Sequence, residues 1–340
     1  VAARGLTLTA HVPGARRGDW VRIETRTEST LKQDTTPNSA LEAEVIAFDG
    51  DQVTLMPIGS VHGVGPDDPV YWMGSALSVR CDPSALGRVL DGLGRPLDGG
   101  PPLRGEAWPI ERRAPAAIER PRITRVLPTG VRAIDALCSV GEGQRLGLFA
   151  PAGVGKTTLL ARLAERASAD VIVTCLIGER GRELNEYLEE ALGAHARERS
   201  IVICATSDAS PLERMKSAKV ATTYAEFFRE RGLRVLLLVD SLTRLVRAAR
   251  EVGLAAGEPP ARRGFPPSAF SELAPLLERA GLTQQGSITA FYTVLVEGND
   301  LDEPVADEVR GLLDGHLVLD RTLAQHGHYP PIDIVKSLSR

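Results

Sequence analysis

Residues 150–157 read Ala150-Pro-Ala-Gly-Val-Gly-Lys-Thr157. They follow the apolar run Arg145-Leu-Gly-Leu-Phe-Ala150 and precede a segment, Thr157 to Ala169, whose apolar residues recur at helical spacing. A strand that turns through two glycines into a helix aims several backbone N–H groups and a positive helix end at one spot, a seat for phosphate. The pattern is the P-loop form, with Ala150 in the first glycine position. The residues expected to hold a nucleotide here are Ala152, Gly153, Val154, Gly155, Lys156, Thr157 and Thr158. Lys156 would neutralise the β- and γ-phosphates, and the Thr157 hydroxyl would ligate Mg²⁺. A glycine-rich turn that merely contains a lysine is the alternative, and the strand before and helix after it speak against that.

The surrounding pattern agrees with such a loop. Asp170 to Ile177, Ser200 to Ala205 and Val235 to Asp240 are nearly continuous apolar runs. Helical segments within Arg182 to Leu192 and from Pro211 to Arg231 alternate with them. Buried strands interleaved with helices imply a predominantly parallel sheet covered on both faces, the three-layer α/β class. Residues 1–80 differ. Asp19-Trp-Val-Arg-Ile23, Glu42-Ala-Glu-Val-Ile-Ala-Phe48 and Gln52-Val-Thr-Leu-Met56 are short runs with near-alternating polarity, separated by turn residues such as Asp49-Gly50. That is the mark of a small β-barrel or sandwich. The turn-rich stretch Gly87 to Gly100 reads as an irregular connector, and the domain boundary is expected near Cys81.

A P-loop site needs an acid for the Mg²⁺ shell at the end of a neighbouring buried strand, and Asp240 ends Leu236-Leu-Leu-Val-Asp240. The other reading of Asp240 is a helix N-cap, a task that Ser241 could share. Hydrolysis also needs a polariser of water. Glu179 stands just past an apolar strand, at the sheet end where open α/β folds bind ligands. Surface pairing with Arg180 or Arg182 is the plainer reading of that glutamate. The formal net charge of −4 argues against nucleic acid as the main partner, although Arg244 to Arg263 could form a local basic rim. No apolar run approaches the roughly 18 residues of a membrane span, and no basic, apolar leader opens the chain, so a cytoplasmic protein is expected. Cys81, Cys138, Cys175 and Cys204 form no C-x-x-C pair and read as buried free thiols.

Further segments carry a resemblance: Gly178-Glu-Arg-Gly-Arg-Glu183, Asp240-Ser-Leu-Thr-Arg244, Gly253-Leu-Ala-Ala-Gly-Glu-Pro-Pro260, Gly264-Phe-Pro-Pro267 and Leu276-Leu-Glu-Arg-Ala-Gly281. Gly286-Ser-Ile-Thr-Ala-Phe-Tyr292, Glu303-Pro-Val-Ala-Asp-Glu-Val-Arg310, Leu313-Asp-Gly-His316 and Tyr329-Pro-Pro-Ile-Asp333 extend it. From about residue 85 to 340 the chain resembles the ATPases of type III secretion, injectisome or flagellar, which are related to the catalytic subunit of rotary ATP synthases. The resemblance implies a RecA-like P-loop NTPase core over 81–340, preceded by an N-terminal β-barrel over 1–80 that begins part-way. It also implies a helical C-terminal domain outside this chain.

By resemblance, Glu179 is the water-polarising glutamate, Arg180 and Glu183 are its supporting network, and Asp240, with Thr157 and Glu183, belongs to the Mg²⁺ shell. Arg244 would lie near the γ-phosphate. Tyr329 would stack on adenine, core packing being its alternative. Arg340, closing Ser337-Leu-Ser-Arg340, occupies the position of an arginine that reaches a neighbour's nucleotide. The implied cofactors are ATP and Mg²⁺, and the implied assembly is a homo-hexamer. The implied partners are export-gate and stalk proteins, a stator-type regulator, secretion chaperones and exported proteins, at the cytoplasmic face of the inner membrane. A non-catalytic ring subunit would carry Gln in place of Glu179, and a hexameric helicase would show aromatic and basic residues interleaved in the β region. The run Leu127-Pro-Thr-Gly-Val-Arg-Ala-Ile-Asp135 leans towards the injectisome.

Overall fold

The computed structural model describes residues 1–25, 40–296 and 302–340. Six strands open the chain: β1 (Ala2–Arg4), β2 (Thr7–His11), β3 (Asp19–Glu24), β4 (Ala40–Asp49), β5 (Gln52–Ile58) and β6 (Val70–Ala76). They form one sheet in the order β1-β2-β5-β4-β3-β6, antiparallel at every ladder. The region expected to be a barrel is thus an antiparallel sheet, and among the described residues no ladder joins its edge strands β1 and β6. Side chains alternate across a strand. Along β4, Leu41, Ala43 and Val45 therefore fill the sheet's own core, while Ile46, with Met56 of β5, meets Leu212 and Val252 of the larger unit.

Three short strands follow: β7 (Ser78–Cys81), β8 (Val89–Asp91) and β9 (Glu106–Pro109). Strand β7 straddles the expected boundary and pairs with β9. The connector Gly87 to Gly100 is less irregular than its composition suggests, because Val89–Asp91 adds an edge strand to the larger sheet. That sheet also contains β10 (Arg145–Ala150), β11 (Val171–Ile177), β12 (Ser200–Ala205), β13 (Arg234–Asp240), β14 (Gly281–Leu282), β15 (Ser287–Leu295), β16 (Gly315–Val318) and β17 (Leu338–Ser339). Its order is β17-β16-β10-β15-β13-β11-β12-β8, with β14 against β15. Every ladder from β16 to β8 is parallel, and only β14 and β17 run antiparallel.

The helices that matter for the site are α1 (Arg132–Leu137), α2 (Lys156–Arg166), α3 (Gly181–Glu186), α4 (Ala194–Glu198), α5 (Pro211–Arg229) and α6 (Leu242–Ala255). In β11, Val171, Val173, Cys175 and Ile177 pack with α5 and α6, whereas Ile172 and Leu176 pack with α2. One apolar run therefore serves two faces, which is why it shows no alternation in sequence. Helix α5 starts where Ser210 Oγ accepts the N–H of Glu213 at 3.2 Å, with Pro211 pre-set in the first turn. The segment within Arg182 to Leu192 is α3 followed by a π-helical turn, Tyr187–Ala191. All four cysteines are free and buried. No helix among the described residues is long and apolar enough to cross a membrane.

Candidate active site

Because β10, β11, β13 and β15 are parallel, their carboxyl ends share one edge, where Ala150 pairs with Leu295 and Leu176 with Asp240. The loop between β10 and α2 turns through Gly153 (φ 78°) and Gly155 (φ 90°), conformations that L side chains rarely adopt. Helix α2 has no side-chain N-cap and no acidic residue in its first turn. Its positive end is therefore left for an external anion. Thr157 and Thr158 lie exposed on that first turn.

Lys156 leans across this mouth. Its Nζ is hydrogen-bonded to Asp240 Oδ1 and lies 3.6 Å from Glu179 Oε1. Asp240 is only 1% exposed and also accepts from Thr293 Oγ1 at 2.7 Å. The adjacent helix cap is taken by Ser241, whose side chain accepts the N–H of Arg244, so Asp240 is free to face Lys156. Glu179 is 6% exposed, which excludes the surface-pair reading. Its partners are Lys156 and Arg244, the latter at 3.0 Å from Oε2 and also bonded to the carbonyl of Gly178. Burial, a hydrogen bond with Glu183 and the charge of Asp240 push the Glu179 carboxyl up to about 7, against Lys156 and Arg244. The same hydrogen bond, with burial opposing it, holds Glu183 below its ordinary value.

The remaining expected residues fall into three places. Arg180 is 77% exposed in its side chain and lies 3.9 Å from Glu183, at the site's rim. Tyr329 is 67% exposed, so it is not a core residue. It borders a cavity of about 720 Å³ together with Gly155, Thr158, Arg162 and Pro330, immediately beside the loop. Arg340 lies at the opposite end of the sheet, since Ser339 pairs with Gly315 and Gly315 with Leu146, the second residue of β10. Four residue steps of about 3.3 Å each separate that level from Ala150, so Arg340 is outside the site of its own chain.

Among the described residues no cluster of three or more His, Cys, Asp or Glu side chains is spaced to hold a metal. Magnesium at a P-loop takes most of its ligands from phosphate and water. The residues fit that mode, because Thr157 lies in the first turn of α2 and Asp240 Oδ2 is buried without a hydrogen-bond partner. Sequence reasoning missed Thr293 and Arg162. A threonine near the carboxyl end of the largely buried strand Ser287–Leu295, the end at which ligands bind in such sheets, was a usable signal for the first.

Fold and site together define a P-loop nucleotide-binding core. Residues 130–339 match the ATP synthase alpha/beta family, nucleotide-binding domain. A type 3 secretion system ATPase of Xanthomonas euvesicatoria is 55% identical over 88% of this chain and 68% of its own length. Its counterpart in Pseudomonas savastanoi pv. phaseolicola is 50% identical over 100% of the chain and 75% of its own length. A flagellum-specific ATP synthase of Salmonella typhimurium is 51% identical over 91% and 70%. The assembled ATPase EscN of the enteropathogenic E. coli type III secretion system superposes with a TM-score of 0.91 at 45% identity, covering 100% of this chain and 80% of that one. EscN has also been solved with its central stalk EscO, at a TM-score of 0.89 and 45% identity, covering 100% of this chain and 79% of that one. The chain belongs to the ATP synthase alpha/beta family, within the group of type III secretion and flagellum-specific ATPases, and is an ATPase.

Proposed function

We propose that this chain hydrolyses Mg·ATP at the subunit interfaces of a homo-hexameric ring, driving chaperone release, unfolding and export of proteins. The observation that carries the reading is the gathering of Lys156, Glu179, Asp240 and Arg244 beyond the ends of parallel strands, facing the uncapped start of α2. ATP would seat its phosphates on the N–H groups from Ala152 to Thr158, with adenine against Tyr329 in the adjoining cavity. Lys156 would exchange its carboxylates for the β- and γ-phosphates. Thr157 directly, and Asp240 with Glu183 through water, would hold Mg²⁺, whose charge offsets that of the phosphate oxygens. Glu179, once ionised, orients water for in-line attack, with Arg180, Glu183 and Arg244 tuning it. Arg340 of the next subunit would complete the site by meeting negative charge in the transition state. The antiparallel sheet before about residue 80 would be a unit separate from this RecA-like core.

Two further parts of the proposal rest on the relatives. EscN assembles and binds a stalk, EscO, which supports a ring with a stalk partner here. Export-gate proteins, a stator-type regulator, chaperones and exported proteins complete the proposed partners, at the cytoplasmic face of the inner membrane. We favour the injectisome branch, where identity reaches 55% against 51% for a flagellar relative. The deciding experiment is Mg²⁺-dependent turnover per chain over a wide range of protein concentration. A rise with concentration supports sites shared between subunits, whereas a constant, substantial rate down to high dilution overturns them.

A further inference from the structure

Strand β17 is two residues long, and two ladder pairs are a weak hold on an arginine that must reach a neighbour's nucleotide. A buried side chain from elsewhere completes that hold. Gln144, 2% exposed, stands immediately before β10. Its Nε2 donates to the Arg340 carbonyl at 2.9 Å and to Ser339 Oγ at 3.0 Å. Its Oε1 accepts from the Gly141 N–H at 2.9 Å, which fixes the direction in which the amide points. Ser339 Oγ passes its own proton on to the Ser139 carbonyl at 2.7 Å.

The chemistry of the position is specific. It uses one acceptor and two donors on a single planar group, and only a primary amide supplies that set. A carboxylate would turn an acceptor towards the Arg340 carbonyl, and an aliphatic side chain would leave that carbonyl without its donor. A residue that served only to fill space at the foot of β10 would need none of these bonds.

We propose that Gln144 is a positioning residue for Arg340, fixing the backbone from which the guanidinium is presented to the adjacent subunit. This rests on the reading of Arg340 as acting in trans. Gln144 touches no nucleotide, since it sits at the end of β10 remote from the P-loop.

The test compares steady-state turnover of the assembled ATPase in Gln144→Glu, Arg340→Ala and the double variant. Gln144→Glu keeps the size and the acceptor for Gly141 and removes the donor to Arg340. Loss of a hydrogen bond of ordinary strength allows a fall in kcat of up to about tenfold, with KM for ATP unchanged. The double variant should be no slower than Arg340→Ala alone. An unchanged kcat in Gln144→Glu, or the same fold-loss in the Arg340→Ala background, overturns the proposal. Should Arg340→Ala itself turn over normally, the trans reading fails, and that outcome is distinct from a failure of Gln144 alone. Ser339→Ala leaves the amide's bond to the Arg340 carbonyl in place and removes the acceptor of its other N–H together with the relay to Ser139. It should give a smaller fall in kcat that also vanishes in the Arg340→Ala background, and a fall that persists there counts against the proposal even if Gln144→Glu does not assemble.

Discussion

Replacing Glu179 by glutamine should make the chain more stable and nearly inactive at the same time. The Glu179 carboxyl titrates near 7 in the folded, nucleotide-free chain instead of at its ordinary 4.5. Between those two values the folded chain keeps a proton that the unfolded chain has released, so the stability of the parent falls as pH rises through this window. The whole difference converts to about 3.4 kcal/mol. The site opens to solvent beside the exposed Thr157 and Thr158, so screening reduces the net penalty to about 1–2 kcal/mol at pH 8. The attractions of Lys156 and Arg244 are already contained in that net value. Urea unfolding of both forms at pH 5 and pH 8 measures it. Glu179→Gln should gain about 1–2 kcal/mol at pH 8 and little at pH 5. Its turnover should drop by about 10²- to 10⁴-fold. The parent's kcat/KM should rise with pH through about 7, a limb absent in the variant. A stability gain that is equal at both pH values, or turnover that survives the substitution, would refute the reasoning.

Two other perturbations probe the frame around the site. Lys216, buried on α5, binds Glu44 of β4 at 2.7 Å and Glu111 at 3.0 Å, joining the N-terminal sheet to the larger unit. Lys216→Met leaves Glu44 buried without a cation, and urea unfolding at pH 7 should show a loss of about 3 kcal/mol that Glu44→Gln largely restores; a loss below about 1 kcal/mol would mean that the junction does not depend on the pair. Gly315→Ala would place a Cβ 2.5 Å from the Leu338 carbonyl oxygen and 3.1 Å from Ser339 Cα, so β17 must shift. Turnover should fall on the order of tenfold or more with nucleotide affinity retained, as for a misplaced catalytic group, and a parallel loss of nucleotide binding would show that the damage reaches the P-loop.

The local parts of this architecture were readable because each has a short-range cause. The P-loop needs two glycines at positive φ between a strand and a helix, all within eight residues. The parallel sheet announces itself through unbroken apolar runs such as Val171–Ile177. Residues whose meaning lies in distant contacts were not readable. Glu44 is unremarkable in an alternating strand until Lys216, 172 positions away, is brought against it. Gln144 meets Arg340 across 196 positions, and Thr293 reaches Asp240 across 53. Asp240 itself was ambiguous between helix cap and site, and the geometry removes the first reading by giving the cap to Ser241. Strand β8 was hidden for a different reason, because its three residues lie among glycines and prolines that signal only turns.

Strand β10 carries the phosphate loop at one end and the anchor of Arg340 at the other. In the proposed ring each subunit would therefore be directional, lending an arginine to one neighbour and a phosphate seat to the other. A subunit crippled at Lys156 would spoil the site it owns and still serve the one next door. Damage in such a ring would be handed around it in a single sense, so the order in which intact and defective subunits are seated would decide how many sites survive.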